Sequence, residues 1–183
     1  MRIRERTFRF PDGREALIRS AGPEDAELVR AHREATSAET HFMAREPEDG
    51  QPDPEKTRTV IEAVDRSETD FHVTAFLDGE VIGDLGVTQV RPHVKYAHRA
   101  YLGMSVRAKY TGLGLGTFLL RTAIAQAEEN GFEQVELGVF SDNARAIHVY
   151  EKLGFREYGR TPRAFKLKDG TYRDELIMVR FLR

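Results

Sequence analysis

A chain of 183 residues, 40% apolar and 32% charged with a net charge of −2, is long enough for one sizeable core and carries no large basic field for nucleic acid or an anionic membrane. It contains no cysteine, which excludes disulfides, thiolate metal sites and a cysteine nucleophile. No apolar run approaches the roughly 18 residues of a spanning helix and the first residues hold no signal-peptide core, so one domain over residues 1–183, located in the cytoplasm, is expected.

In chain order, RTFRF and REALIRSA read as a hairpin across Pro11-Asp12-Gly13. Gly22-Pro23-Glu24-Asp25 opens a helix with acids at its positive end and Leu28 and Val29 on an apolar side. The stretch from Glu34 to Pro54 is mixed, with a short helix expected near Ser37 to Phe42 and a polar loop after it. His32 and His41 lie nine residues apart with no clear third ligand, which does not make a metal site. EKTRTVIEAVDRSE has helical spacing at Val60, Ile61 and Val64. FHVTAFL and EVIGDLGVTQV form a hairpin around Asp78-Gly79, and HRAYLGMSV is a further strand. Phe118, Leu119, Thr122, Ala123, Ala125 and Ala127 predict a helix that ends at Asn130-Gly131. QVELGVF is a strand, Ser141 or Asp142 caps a helix through Leu153, and the last hairpin turns at Asp169-Gly170. The order β–α–α–β–β–β–α–β–α–β–β predicts a mixed sheet with helices packed on it.

Between a strand and a helix lies TGLGLGT, Thr111 to Thr117. A helix start leaves about four N–H groups unpaired, and these donors with the helix dipole favour an anion. Glycine admits phosphate oxygens to the backbone with no Cβ in the way. Gly112, Gly114 and Gly116 therefore read as a pyrophosphate cradle or as a tight strand-to-helix turn. No Gly-Lys-Ser/Thr is present for a Walker loop, and a G-x-G-x-x-G begun at Gly112 or Gly114 finds Thr117 or Leu119 at its third glycine.

VRAKYTGLGLGTFLLRTAI resembles the acyl-coenzyme-A signature of the GNAT superfamily of N-acetyltransferases, Gln/Arg-x-x-Gly-x-Gly/Ala. Gly114 and Gly116 match its glycines, while Thr111 departs from its Gln/Arg and weakens one side-chain donor to the pyrophosphate. VELGVFSDNARAIHVYEKLGF resembles the family's following strand and helix with their N…A…Y-x-x-x-G-F ending. The resemblance implies an α/β (α+β) fold: a mixed, mostly antiparallel central sheet, splayed at the cofactor site and flanked by about four helices. It implies acetyl-CoA as acyl donor; no metal is expected. Backbone groups at Met104 and Val106 would pair with the pantetheine arm, and a backbone N–H there would polarise the thioester oxygen. Thr111, Gly112, Gly114, Gly116 and Thr117 would hold the pyrophosphate, Asn143 would contact the cofactor, and Tyr150 would protonate the leaving thiolate. A homodimer is also implied, since the family's C-terminal strands often meet across a two-fold axis.

Tyr150 lies seven residues after Asn143, close to two helical turns, so the two share a face. A thiol titrates near 8.5 and a phenol near 10, so a tyrosine can supply the thiolate's proton. Read without the resemblance, Tyr150 is a core aromatic beside Ile147, and Asn143 is a helix cap. Related enzymes often place an acid on the strand that reads HRAYLGMSV here; this chain has Tyr101 near that place, with His98 close by. Glu136, Glu39 or a water relay are further candidates for the base. Glu34, Glu39 and Glu46 belong to a segment expected to roof the acceptor pocket, where they either greet a cation or form a solvated face.

The function expected is direct transfer of an acetyl group from acetyl-CoA to the primary amine of a small molecule, an amino acid or similar amine. Polyamine and protein N-terminal or lysine acetylation are the alternatives, and a non-catalytic acyl-CoA sensor is the alternative of another class. No nucleic-acid or membrane partner is expected.

Overall fold

The computed structural model describes residues 1–50 and 52–182. Its strands are β1 (Arg6–Arg9), β2 (Glu15–Arg19), β3 (Phe71–Leu77), β4 (Glu80–Gln89), β5 (Arg99–Val106), β6 (Gln134–Phe140), β7 (Arg156–Lys166) and β8 (Tyr172–Phe181). The α-helices are α1 (Ala26–Glu39), α2 (Pro54–Arg66), α3 (Leu115–Glu129) and α4 (Ala144–Lys152). All eight strands join one sheet in the order β1-β2-β3-β4-β5-β6-β8-β7. The opening hairpin contributes two strands, one more than the expected order contained, because Arg6 to Arg9 pair fully with Glu15 to Ile18.

Local chemistry sets most boundaries. Asp25 accepts from Gly22 N–H at 2.8 Å before α1, and Asp53 accepts from Glu55 N–H at 2.7 Å at the start of α2. Gly131, at φ +87°, turns the chain out of α3. Two expectations change. Ser37 to Glu39 complete α1 instead of starting a new helix, and Thr40 then leaves in an extended conformation. The cap of α4 is Asn143, whose Oδ1 accepts from Ala146 N–H at 3.2 Å, not Ser141 or Asp142.

The main core lies between the sheet and α3, where Leu115, Leu119, Leu120, Ala123 and Ala127 are buried. Adjacent residues of β4 show that α1 covers the other face. Gly83 lies under Leu115 and Leu119 of α3, whereas Asp84 pairs with Arg33 of α1 at 3.6 Å.

Every strand pair is antiparallel except β5–β6. That parallel pair requires a crossover, which α3 provides. It is also short: Arg99↔Gln134, Ala100↔Val135 and Tyr101↔Glu136 are its only registered pairs. Beyond Tyr101 the two strands separate while each keeps its other neighbour. The sheet therefore opens at its middle.

Candidate active site

The opening exposes the backbone of β5. Its register with β4 is unbroken from Gly83↔Val106 to Gln89↔Ala100. Arg107 N–H donates to Ile82 O at 3.0 Å, and Arg99 O accepts from Val90 N–H at 3.1 Å, so odd-numbered residues point their backbone groups at β4. By alternation, Leu102, Met104 and Val106 point theirs into the gap. An extended ligand arm can pair there as an added strand.

A cleft of about 730 Å³ occupies this gap. It gathers Met104, Val106, Thr111, Gly112, Gly114, Gly116, Thr117, Asn143 and Tyr150, from β5, the turn after it, α3 and α4. Gly112 and Gly114 have φ of +78° and +91°, the left-handed region that suits glycine. A Cβ on Gly112 would meet open space, so its backbone faces an approachable volume. Gly116 has another reason to be small: its missing Cβ faces Met104 Cε at 3.5 Å, so it serves helix-to-strand packing. Gly114 caps α3, and the free N–H groups of the first turn border the cleft.

Arg145 was not singled out by its sequence pattern. Its Nη1 donates to Thr111 Oγ1 at 2.8 Å, and it too lines the cleft. A cation reaches the cradle from α4 at the position where Thr111 lacks the long polar side chain of the family pattern. Only the pairing of two distant segments shows it.

Tyr150 is 6% exposed, and its hydroxyl has no hydrogen-bond partner among the described residues. Burial first, and then the nearby Tyr101, push its pKa up to about 12, so it is a protonated donor at neutral pH. Asn143 both caps α4 and lines the cleft.

Tyr101 lies on the α1 face of β5, 41% exposed and outside the cleft lining. Its Oη accepts from Gly138 N–H at 3.1 Å, satisfying a β6 amide that the departing β5 leaves without a strand partner. His98 is not brought to the gap. It sits in the turn before β5, at the far end of that strand from Met104, and its carbonyl accepts from Glu133 and Gln134 N–H. Glu136 and Glu39 are engaged elsewhere. Glu136 is 3% exposed and receives Arg99 in two hydrogen bonds of 2.5 and 2.7 Å, Tyr158 Oη at 2.9 Å and Gln134 at 2.8 Å. Burial pushes its pKa up, but these donors outweigh burial and hold it below the usual carboxylate range. Glu39 likewise accepts from Ala108 N–H at 2.7 Å and Arg107 Nε at 2.8 Å, which overcome burial and lower its pKa. It ties the end of α1 to the turn before the cradle, and Thr40, Phe42 and Met43 complete that wall of the cleft. His32 is fixed between Val81 O at 3.0 Å and Ser105 Oγ at 2.8 Å, with its pKa lowered by burial. Among the described residues no group of three histidine, aspartate or glutamate side chains converges as a metal site.

The sheet opens beside a strand edge free to pair with an extended arm and a helix start whose amides border the same cleft. Residues 30–155 match the acetyltransferase (GNAT) family model, and the chain belongs to that family. It is 36% identical over 110 residues to the L-amino acid N-acetyltransferase AaaT of Escherichia coli, covering 59% of this chain and 66% of that protein. It is 35% identical over 107 residues to an N-alpha-acetyltransferase of Sulfurisphaera tokodaii, covering 53% of this chain and 62% of the relative. The chain thus matches somewhat less than two thirds of the length of these relatives. Among solved structures, a GNAT-family acetyltransferase of Streptococcus pneumoniae superposes with a TM-score of 0.86 at 27% identity, over 91% of this chain and 99% of the other. YncA of Salmonella typhimurium, solved with acetyl-CoA, shares the fold with a TM-score of 0.80 at 22% identity, over 92% and 94% of the two chains. The mixed, mostly antiparallel eight-stranded sheet with four α-helices is the fold the resemblance implied.

Proposed function

We propose that this protein is an acetyl-CoA-dependent N-acetyltransferase that acylates the primary amine of a small molecule, with an amino acid as the first class of acceptor. The observation that carries the reading is one cleft in which the cradle and the free edge of β5 lead to the buried, unpartnered hydroxyl of Tyr150. Bound there, acetyl-CoA supplies an activated acetyl thioester. Gly112, Gly114 and the first turn of α3 hold its pyrophosphate, with Arg145 as the accompanying cation. Met104 and Val106 orient its arm through backbone hydrogen bonds. Tyr150 holds a proton for the leaving sulfur. With no cysteine to carry an acyl group, transfer to the amine is direct.

The amino-acid choice rests on the similarity to an L-amino acid N-acetyltransferase. The similarity to an N-alpha-acetyltransferase favours protein N-termini as the second reading, and a peptide α-amine with pKa near 8 is about one-tenth neutral at pH 7, against about one part in a few thousand for a lysine-like amine. No described helix is long and apolar enough to cross a membrane. The exposed edge strand β7 supports a homodimer, which sedimentation would reveal.

Thiol release from acetyl-CoA, read with a thiol-reactive dye, tests the function without protein background. Amino acids, short peptides and polyamines serve as acceptors. Release with amino acids is expected. Saturable acetyl-CoA binding with no release across the panel would favour a sensor.

A further inference from the structure

Glycine occupies position 138, in the middle of β6 where the sheet opens. A glycine inside a strand gives up packing and conformational entropy, so the space it leaves calls for an occupant. A Cβ there would overlap Glu175 Oε1 and lie 2.9 Å from both Glu175 Cδ and Tyr101 Oη. Two polar side chains from the neighbouring strands thus fill one small volume. The register explains how they reach it. Tyr101 pairs with Glu136 at the last rung of β5–β6, and Gly138 and Phe140 face Ile177 and Glu175 across β6–β8. Directly opposed residues share a face, so Glu175 and Tyr101 converge over Gly138 on the α1 face of the sheet.

Three features separate this carboxylate from the other acids nearby. Glu175 is half-buried, and among the described residues it has neither an ion pair nor a hydrogen bond. Glu136 and Glu39, by contrast, are saturated. Asp142 is held by Arg173 at 2.6 Å and His41 at 3.3 Å. Because Tyr101 Oη accepts from Gly138 N–H, its own hydrogen is free to point toward Glu175 or an incoming amine. Tyr101 is also close enough to Tyr150 for its charge to be felt there, and both Glu175 and Glu136 raise the Tyr101 pKa in turn, after burial. A line of groups therefore crosses the opening: Glu175 and Tyr101 on the α1 face, Tyr150 in the cleft beyond.

Resting on the acetyltransferase reading, we propose that the sheet opening beside Glu175 and Tyr101, which fill the volume over Gly138, is the acceptor-amine subsite and that Glu175 is the base that deprotonates the ammonium, with Tyr101 orienting it. The protons balance. The acceptor enters as R–NH₃⁺ and loses one proton to Glu175, which releases it to solvent. The nitrogen then bonds to the acetyl carbon as the carbon–sulfur bond breaks. The nitrogen's second proton goes to solvent, and the thiolate leaves with the proton that Tyr150 holds and regains from solvent. The ligand class this site takes is a primary ammonium, attracted by a carboxylate that forms no ion pair among the described residues.

The test compares wild type, Glu175→Gln and Gly138→Ala in the thiol-release assay with amino-acid acceptors, alongside acetyl-CoA affinity by calorimetry. Glu175→Gln keeps shape and removes basicity. Its kcat/KM for the amine is expected to fall at least about 100-fold, the scale of general-base catalysis, with acetyl-CoA affinity within twofold of wild type. The acidic limb of its pH profile should move. Gly138→Ala displaces the carboxylate and should lose activity in the same direction. Glu175→Gln turnover within threefold of wild type, with an unmoved pH profile, overturns the assignment and leaves the acetyltransferase reading intact. A wild type that binds acetyl-CoA but acetylates no amine overturns that reading itself, and this assignment with it.

Discussion

Replacing Tyr150 by phenylalanine separates the catalytic account of that residue from a structural one, because the two predict opposite signs. The ring is 6% exposed and packs against Phe155 with centroids 5.8 Å apart. Phenylalanine keeps that contact and most of the buried apolar area. The hydroxyl it removes has no protein partner among the described residues and borders the cleft. A buried polar group left unpaired costs about 1–3 kcal/mol, and cleft water lessens that penalty here. The variant should thus be as stable as wild type or up to about 1 kcal/mol more stable, a rise of roughly 2–4 °C in Tm for a chain of this size. Turnover should move the other way. Without the phenol the sulfur leaves as an unassisted thiolate, so kcat should fall about 100-fold, the low end of general-acid effects, with acetyl-CoA affinity retained. Thermal scanning and thiol release on the same preparation check both. A Tm several degrees lower would mean the hydroxyl is a structural bond. Unchanged kcat would remove Tyr150 from the acid role.

Arg145→Ala should raise the Kd for acetyl-CoA about three- to tenfold and flatten its salt dependence. It should leave affinity for a pantetheine fragment lacking phosphates unchanged, all readable by calorimetry. Gly114→Val places a β-branched residue at φ +91° and beside Phe8, so α3 should lose stability by about 1–2 kcal/mol with weaker acetyl-CoA binding, measured by urea unfolding and titration. Asp84 gives a pH prediction. Burial raises its pKa, but His72, Arg33 and Thr74 outweigh burial and hold it well below the carboxylate range. A depressed folded pKa adds stability above the unfolded value near 3.9, and that stability is lost as pH falls toward the folded value. Asp84→Asn should therefore be less stable than wild type at pH 7, with the difference shrinking below about pH 4 in denaturant titrations.

Most of the elements were legible locally, because their signals are short-range. The hairpins at Pro11-Asp12-Gly13, Asp78-Gly79 and Asp169-Gly170, the C-cap at Asn130-Gly131 and the helical spacing in α2 and α3 depend on neighbours within a few residues. The glycine turn was legible for the same reason: Gly112 and Gly114 need positive φ whatever packs around them. The boundary errors were local competitions. Ser141, Asp142 and Asn143 are all capping residues, and only the path from β6 into α4 selects Asn143.

What the sequence by itself determined is the order of elements after the opening hairpin, the glycine turn before α3 and the spacing that aligns Asn143 with Tyr150. What the tertiary structure alone decided is which side chains from distant segments share a space. Arg145 meets Thr111 across 34 residues, Glu136 is consumed by Arg99 across 37, and Glu175 reaches Gly138 and Tyr101 from the second strand of the last hairpin. His98 and Tyr101 are three residues apart, yet one lies in the turn at the end of β5 and the other at the opening. The reason is physical: a strand's period specifies which face a residue takes, but only pairing and register specify what stands opposite, and the point where β5 and β6 part appears in neither strand alone.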